Sequence, residues 1–273
     1  HSFGLKIYNH FLSKGGFSYK LIPLYSMGTK DLTGEMNLAY TKYSQTSRFQ
    51  KFTLSIDGKQ YLYDYEKEYT RIMPQLNIKL QKPSLRSKID NYLSASYVYL
   101  EKENETLGFI KGRYTYSNAR TFNPYSLHAK IEKGMEYSKA NVRVYLRKDL
   151  NQKKKLNVRA YVGFVNTSND KYKLKMSAWN GSDDYMFSER AFSRSESSAH
   201  NLPYQQQIFI REGGLKHFTN DSLNSSQWLS SLYVDYNLFK PLDLYTEGGT
   251  NGSEFAYGGG FTLGANVNGP VNG

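Results

Sequence analysis

The sequence predicts an all-β fold: an antiparallel, up-and-down transmembrane β-barrel of about fourteen strands, within a range of roughly ten to sixteen. Three observations predict it. Alternation with a period of two, not 3.6, recurs through most of the chain. The alternating segments run to about nine to twelve residues, the length a tilted strand needs to cross a bilayer, whereas soluble sandwiches average about five or six. The polar face of many segments carries Lys and Arg, which suit the wall of a water-filled lumen and not a dry core.

Stretch 138–165 is the clearest hairpin. Val142, Val144 and Leu146 alternate with Arg143, Tyr145 and Arg147; on the return, Leu156, Val158, Ala160, Val162 and Phe164 alternate with Asn157, Arg159 and Tyr161. The intervening 149–155 is polar and basic and reads as a turn. Upstream, 5–12 is a strand candidate. Phe17, Tyr19, Leu21, Pro23, Tyr25 and Met27 share a face, with Pro23 suggesting a bulge because it lacks a ladder donor. Gly34, Met36, Leu38 and Tyr40 follow, then Phe52, Leu54 and Ile56, then a Tyr-rich charged stretch through Tyr69. Strands are expected around 72–81, 89–100, 109–117, 127–132 and 172–178. They resume at Ile208 and Ile210, then at 228–238, Leu242–Leu244 and 255–267, the last with a nearly bare glycine face at Gly258, Gly259 and Gly260.

Composition narrows the function classes. With 273 residues a single domain over 1–273 is expected, and the chain, which opens His1-Ser2-Phe3-Gly4 and ends without a closing aromatic residue, is expected to be incomplete at both ends. Mean hydropathy is −0.66. No run reaches the roughly 18 to 20 apolar residues of a membrane helix, which excludes a helical membrane protein but not a barrel, whose alternation hides its apolar band. Tyr 25 and Phe 15 against Trp 2 suit strands and aromatic girdles. Cys is 0, so neither disulfides nor thiolate metal sites are available. The net charge of +12 fits nucleic acid, anionic lipid or an anion-lined pore. Its spread along strands disfavours nucleic acid.

Several blocks carry a family resemblance: Leu21-Ile22-Pro23-Leu24-Tyr25-Ser26-Met27-Gly28-Thr29-Lys30 with Leu32-Thr33-Gly34, Val158-Arg159-Ala160-Tyr161-Val162-Gly163-Phe164, Asp184-Tyr185 with Arg190 and Arg194, Arg211-Glu212-Gly213-Gly214-Leu215-Lys216, and Phe255-Ala256-Tyr257-Gly258-Gly259-Gly260. Together they resemble the C-terminal outer-membrane barrel domain of M1-family aminopeptidase-like proteins of Bacteroidetes. The resemblance implies that any zinc chemistry belongs to an upstream peptidase domain bearing His-Glu-x-x-His.

That motif does not occur among His1, His10, His128, His200 and His217, which read as lumen or loop residues, so no catalytic, cofactor or metal site is expected. Asp183 and Asp184 lack enough oxygen partners for a calcium loop. The glycine triplet opens no helix and therefore cradles no phosphate; glycines there relieve crowding against a backbone, a plug or a seam. Lys111, Arg113, Arg143, Arg147, Arg159, Lys173 and Lys175 are expected to stack on one inner wall. Two readings stand: a basic lumen that favours anions, or neutralisation by Glu35, Asp57, Asp90, Glu132, Asp235, Asp243 and Glu247 that locks the lumen shut. The long loop at 180–204 is expected to share an extracellular rim with 212–224, away from the turns at Gly28, Lys82 and Lys240. Within it, Tyr185, Phe187, Arg190, Phe192 and Arg194 either dock a partner or fold back as a plug.

The expected function is non-enzymatic: a barrel in the outer membrane of a Gram-negative bacterium that anchors a larger assembly or a peptidase-like parent. Its expected partners are outer-membrane lipid, lipopolysaccharide and proteins of a membrane complex. A pore or transporter and a soluble β-sandwich binding module are the competing classes.

Overall fold

The computed structural model describes residues 2–9, 15–27, 30–44, 48–64, 67–84, 86–102, 105–151, 154–177, 212–217, 219–239 and 241–263. They form one fourteen-stranded antiparallel sheet in which chain neighbours pair from the third strand onward, while the first two short strands both pair with the third. Its strands are β1 (Ser2–Gly4), β2 (Ile7–Tyr8), β3 (Gly15–Ser26), β4 (Leu32–Tyr43), β5 (Phe49–Asp64), β6 (Lys67–Leu80) and β7 (Ile89–Lys102), followed by β8 (Glu105–Asn118), β9 (Tyr125–Gly134), β10 (Tyr137–Asp149), β11 (Lys155–Thr167), β12 (Trp228–Phe239), β13 (Leu242–Thr250) and β14 (Phe255–Leu263). The up-and-down order and the strand number agree with the sequence. Among the described residues β14 does not pair with β1 or β2, so the sheet is barrel-like but open at that seam.

The two faces have inverted polarity. Leu54, Tyr97, Ile110, Ile131, Phe164 and Leu232 all point outward and are about half exposed or more, whereas Glu132, Lys139, Arg159 and Glu247 on the inner face are buried. A water-soluble sheet would place these two sets the other way round. Register explains why the alternation holds: each outward residue is matched on its neighbours, as in Val142 with Ala129 and Val162, so one slipped residue would exchange whole rows of Leu and Val for rows of Lys and Arg.

Antiparallel order puts alternate connections on opposite rims. The rim carrying the long connection 168–227, here the connection rim, also carries the turns after β3, β5, β7, β9 and β13; the opposite rim carries those after β4, β6, β8, β10 and β12. The strand ends flanking Gly28 lie on the rim of the long connection and those flanking Lys82 and Lys240 on the opposite rim, while Gly28, Lys240 and the 180–204 loop themselves lie outside the described residues. Of the expected 5–12 strand, Ile7–Tyr8 forms β2, and residues 10–12 lie outside the described residues. The Tyr-rich stretch is a hairpin in which Tyr61 pairs with Tyr69, their rings 4.9 Å apart.

Pro23 makes no bulge against β4, where Pro23 pairs with Gly34 in unbroken register. The missing donor is felt on the other side, where β1 ends opposite Leu24 and β2 begins opposite Leu21. Pro74 acts alike: it pairs with Ile56 of β5, while the β6–β7 ladder skips from Ile72 to Gln75. Proline thus interrupts one neighbour and spares the other.

The expected strand at 172–178 is not one. Asp170–Tyr172 is a 3-10 turn and Leu174 and Ser177 make isolated bridges, because this segment turns inside the sheet instead of joining it. Stretch 208–210 and residues 264–267 lie outside the described residues. Gly34 supplies a test of the register, since a Cβ there would stand 2.4 Å from the Ile22 carbonyl oxygen. Gly34→Ala is expected to lower stability by about 1–3 kcal/mol through overpacking, seen as a lower midpoint in thermal unfolding followed by heat-modifiable gel migration.

Candidate functional site in the lumen

The connection between β11 and β12 enters the concave face and fills part of it. Its two described arms, 170–177 and 212–217, are stitched by backbone hydrogen bonds: Gly213 N donates to Lys175 O at 3.0 Å and Leu215 N to Met176 O at 3.0 Å. A second bridge joins Leu174 to Ser225, each N–H donating to the other's carbonyl at 2.8 and 2.9 Å. These bonds are needed because the arms have no ladder partner in the sheet.

Apolar side chains of the arms occupy two clusters. Leu174, Met176 and Leu215 are fully buried against Tyr161, Val165, Leu229 and Ala256 of the inner wall. Tyr172 stacks on Tyr137 with centroids 4.2 Å apart, within a cluster that reaches Tyr69, Val98 and Phe109. The hydrophobic core of this protein is therefore the contact between plug and wall. Small residues make room: a Cβ at Gly249 would stand 2.5 Å from the Met176 sulfur, and one at Gly258 2.7 Å from Nδ1 of His217. The bare glycine face read in the sequence is in part an imprint of the plug.

Buried charges of the wall then address the plug backbone. Arg159 Nη2 donates to Gly213 O at 2.7 Å and to Gly214 O at 3.0 Å, and Ser231 Oγ donates to Gly213 O at 2.6 Å. Glu247 accepts from the backbone N–H of Lys216 at 2.7 Å and of His217 at 3.1 Å. His217 Nδ1 lies 2.7 Å from the same carboxylate, which as an anion only accepts, so the ring donates. Lys139 pairs with Glu212 at 3.1 Å, and Glu212 also accepts from Lys175 N at 2.5 Å. Lys216 Nζ donates to the Tyr233 hydroxyl at 2.7 Å and sits 4.5 Å from the Tyr245 ring centroid.

At the mouth of the connection rim, Lys171 pairs with Glu105 and Lys173 with Asp170. The Lys173 ammonium hydrogen-bonds the Asp170 carboxyl and holds it below the usual carboxylate range. Toward the opposite rim the lumen keeps a cavity of about 590 Å³ beside Tyr145, Arg147, Arg159, Lys216, Tyr233 and Asp235. Arg159 is 5% exposed, and its Nε and Nη1 have no hydrogen-bond partner among the described residues.

Of the seven basic residues expected on one wall, Lys111, Arg113, Arg143, Arg147 and Arg159 do lie on the inner face, by their register with Ser96, Ser94, Tyr161, Asn157 and Tyr145. Lys173 and Lys175 do not, because they belong to the plug. Arg143 covers the Tyr161 ring at 5.6 Å and Arg147 pairs with Asp149 at 3.3 Å. The carboxylates are largely neutralised by other cations, and along the wall instead of across it. Glu35 pairs with Lys59 at 3.0 Å, Asp57 with Arg71 at 2.7 Å, Asp90 with Lys79 at 2.8 Å and Glu132 with Lys130 at 2.6 Å. Asp235 accepts from Asn157, and Asp243 from Asn237.

Tyr185, Phe187, Arg190, Phe192 and Arg194, with Asp183 and Asp184, lie outside the described residues. Stretch 212–224, expected on a rim with them, is divided: 212–217 is inside the lumen, and Asp221–Leu223 forms a 3-10 turn at the connection rim, where Ser222 bonds Glu254. Sequence reasoning missed Lys139, Glu212 and Lys216 as plug anchors. Lys139 could have been found, since it continues the alternation of Arg143 and Arg147. Among the described residues no three His, Cys, Asp or Glu side chains gather as a metal site would require. No family model and no curated protein matches the chain.

Glu247→Ala leaves two backbone N–H groups and a histidine without their acceptor. It is expected to weaken plug seating by about 2–3 kcal/mol while the sheet stays folded, read as faster protease cleavage within 168–227 at unchanged strand content by circular dichroism.

Proposed function

We propose that this chain is a non-enzymatic outer-membrane barrel domain that anchors a larger assembly, its lumen closed by its own β11–β12 connection. The observation that carries the reading is the inverted sheet. A continuous outward surface of Leu, Ile, Val, Phe and Tyr faces away from a charged interior, and lipid is the solvent in which that arrangement is stable. Among the described residues no helix is long and apolar enough to cross a membrane. A two-sheet sandwich does not fit one continuous up-and-down sheet.

Anchoring is favoured over transport by the plug, whose backbone is held by buried Arg159 and Glu247. The similarity to barrel domains of M1-family aminopeptidase-like proteins makes a peptidase-like parent the natural assembly, and lipid, lipopolysaccharide and protein partners the expected contacts. A second reading, an anion-preferring pore, is favoured by the cavity and by the unpartnered edge of Arg159 within it.

Two measurements separate the readings. Val142, outward and near mid-strand on β10, tests the membrane directly. Val142→Lys is expected to cost about 2–4 kcal/mol of folding stability in bilayers, whereas Thr115→Lys on the inner face is expected to cost little. Equal costs would refute the membrane reading. In planar bilayers the wild-type protein is expected to carry no steady current and Glu247→Ala to open an anion-selective one; a steady wild-type current would establish the pore.

A further inference from the structure

The charge of the chain is divided between its rims. Around the connections after β4, β6, β8, β10 and β12, the described charged residues are predominantly Lys or Arg, with Asp90, Asp149 and Asp243 as the acids beside them. Around the connection rim, those with described side chains include five Lys against eight Asp or Glu. Among the described residues, the strand ends of the first rim are thus more basic than those of the connection rim.

Its densest part is a built surface. The 119–124 and 147–154 turns are locked together: Arg147 Nη2 donates to Thr121 O at 2.9 Å, Asn123 N to Asp149 at 2.8 Å, and Asp149 N to Asn123 Oδ1 at 3.0 Å. Asp149 also pairs with Arg147, so the acid within these two turns is consumed in holding them. Arg120, Lys148 and Lys154 are exposed and have no carboxylate partner among the described residues. Each stands where the outward apolar band ends. Arg120 lies 5.4 Å from the Tyr125 ring, itself stacked on Tyr116, and Lys154 lies 5.7 Å from the Tyr236 ring. Lys148 pairs with Leu156 on the outward face, one step beyond Leu146. Cations rising above an aromatic edge of an apolar band meet the phosphate level of a lipid leaflet.

We propose that this collar binds the phosphates of a phosphorylated glycolipid, the lipopolysaccharide of the outer leaflet, with Arg120, Lys148 and Lys154 as the ligands, so that the basic rim faces outward. The occupant follows from charge complementarity and from the turns. Three hairpins of the connection rim are two residues long, those of the basic rim mostly five to eight, and outer-membrane barrels keep their short turns on the periplasmic side. The inference rests on the membrane reading above.

The test uses the full chain, first inserted into neutral phosphatidylcholine vesicles, where heat-modifiable migration reports the membrane reading independently of the collar. Affinity is then measured for bisphosphorylated lipopolysaccharide, for the same lipid after phosphatase treatment, and for phosphatidylglycerol. The wild type is expected to prefer the bisphosphorylated lipid at least tenfold over both. R120Q/K148Q/K154Q is expected to lose at least tenfold of that affinity, while K30Q/K102Q/K133Q on the other rim changes it less than twofold. Equal affinity for the dephosphorylated lipid or for phosphatidylglycerol, or an unchanged triple variant, overturns the proposal. If the triple variant fails to insert, K148Q alone decides: a two- to threefold loss supports the collar, and no loss refutes it.

Discussion

The architecture depends on two buried charges that bind backbone. Arg159 and Glu247 are 5% and 4% exposed, and both are directed at one short turn of the inserted connection. Arg159 takes the carbonyls of Gly213 and Gly214, and Glu247 takes the N–H groups of Lys216 and His217. An ion so buried is stabilised by fixed dipoles aimed at it, here through the Nη2 edge of Arg159 and both oxygens of Glu247. Here the dipoles belong to a segment that would otherwise have unpaired peptide groups. Wall and plug satisfy each other, and neither is complete alone.

That mutual need reverses the usual logic of a core. In a water-soluble sheet, apolar side chains of the strands meet each other and the charges stay outside. In this sheet the apolar rows of the strands point away from the centre, and the centre is charged. Directional polar contacts set the position of the plug, and hydrophobic contact supplies adhesion where Leu174, Met176 and Leu215 reach Tyr161 and Leu229. Because charged hydrogen bonds weaken steeply with distance and angle, such a plug has one seating, whereas a greasy plug in a smooth wall would have many.

The fold was legible because period-two alternation survives averaging over a dozen strands, and because Arg143, Arg147 and Arg159 on the polar face exclude a dry interior. What was not legible has a common cause. The segment around Tyr172–Ser177 alternates as a strand does, since a chain crossing a wet lumen between apolar patches also needs one face for each. Sequence period reports which sides a segment presents, not whether its backbone is paired in a ladder. The turn after β5 escaped notice for a different reason: it has none of the Gly, Asn or Pro signals, and its register is held instead by the Tyr61 and Tyr69 rings. The partners of the lumen carboxylates could not be read at all, because Glu35 and Asp57 choose among cations on adjacent strands, and the choice is fixed by stagger.

The segregation of charge between lumen and rims follows from the same physics. Inside, ions are paired at short range, as Asp90 is with Lys79 and Lys82 and Glu132 with Lys130, because an unpaired ion in a narrow, partly dry lumen loses hydration without recompense. Cations without a carboxylate beside them gather where water or counter-ions are plentiful, and the strands present two such places, their ends. One end is crowded by the mouth of the plug, where Lys171 and Lys173 are matched by Glu105 and Asp170. The other end is free of that traffic, and Arg120, Lys148 and Lys154 stand there without a carboxylate partner among the described residues. A charge distribution of this kind costs self-repulsion unless something anionic lies against it, so the basic end is the part of this molecule whose environment its own structure specifies most narrowly.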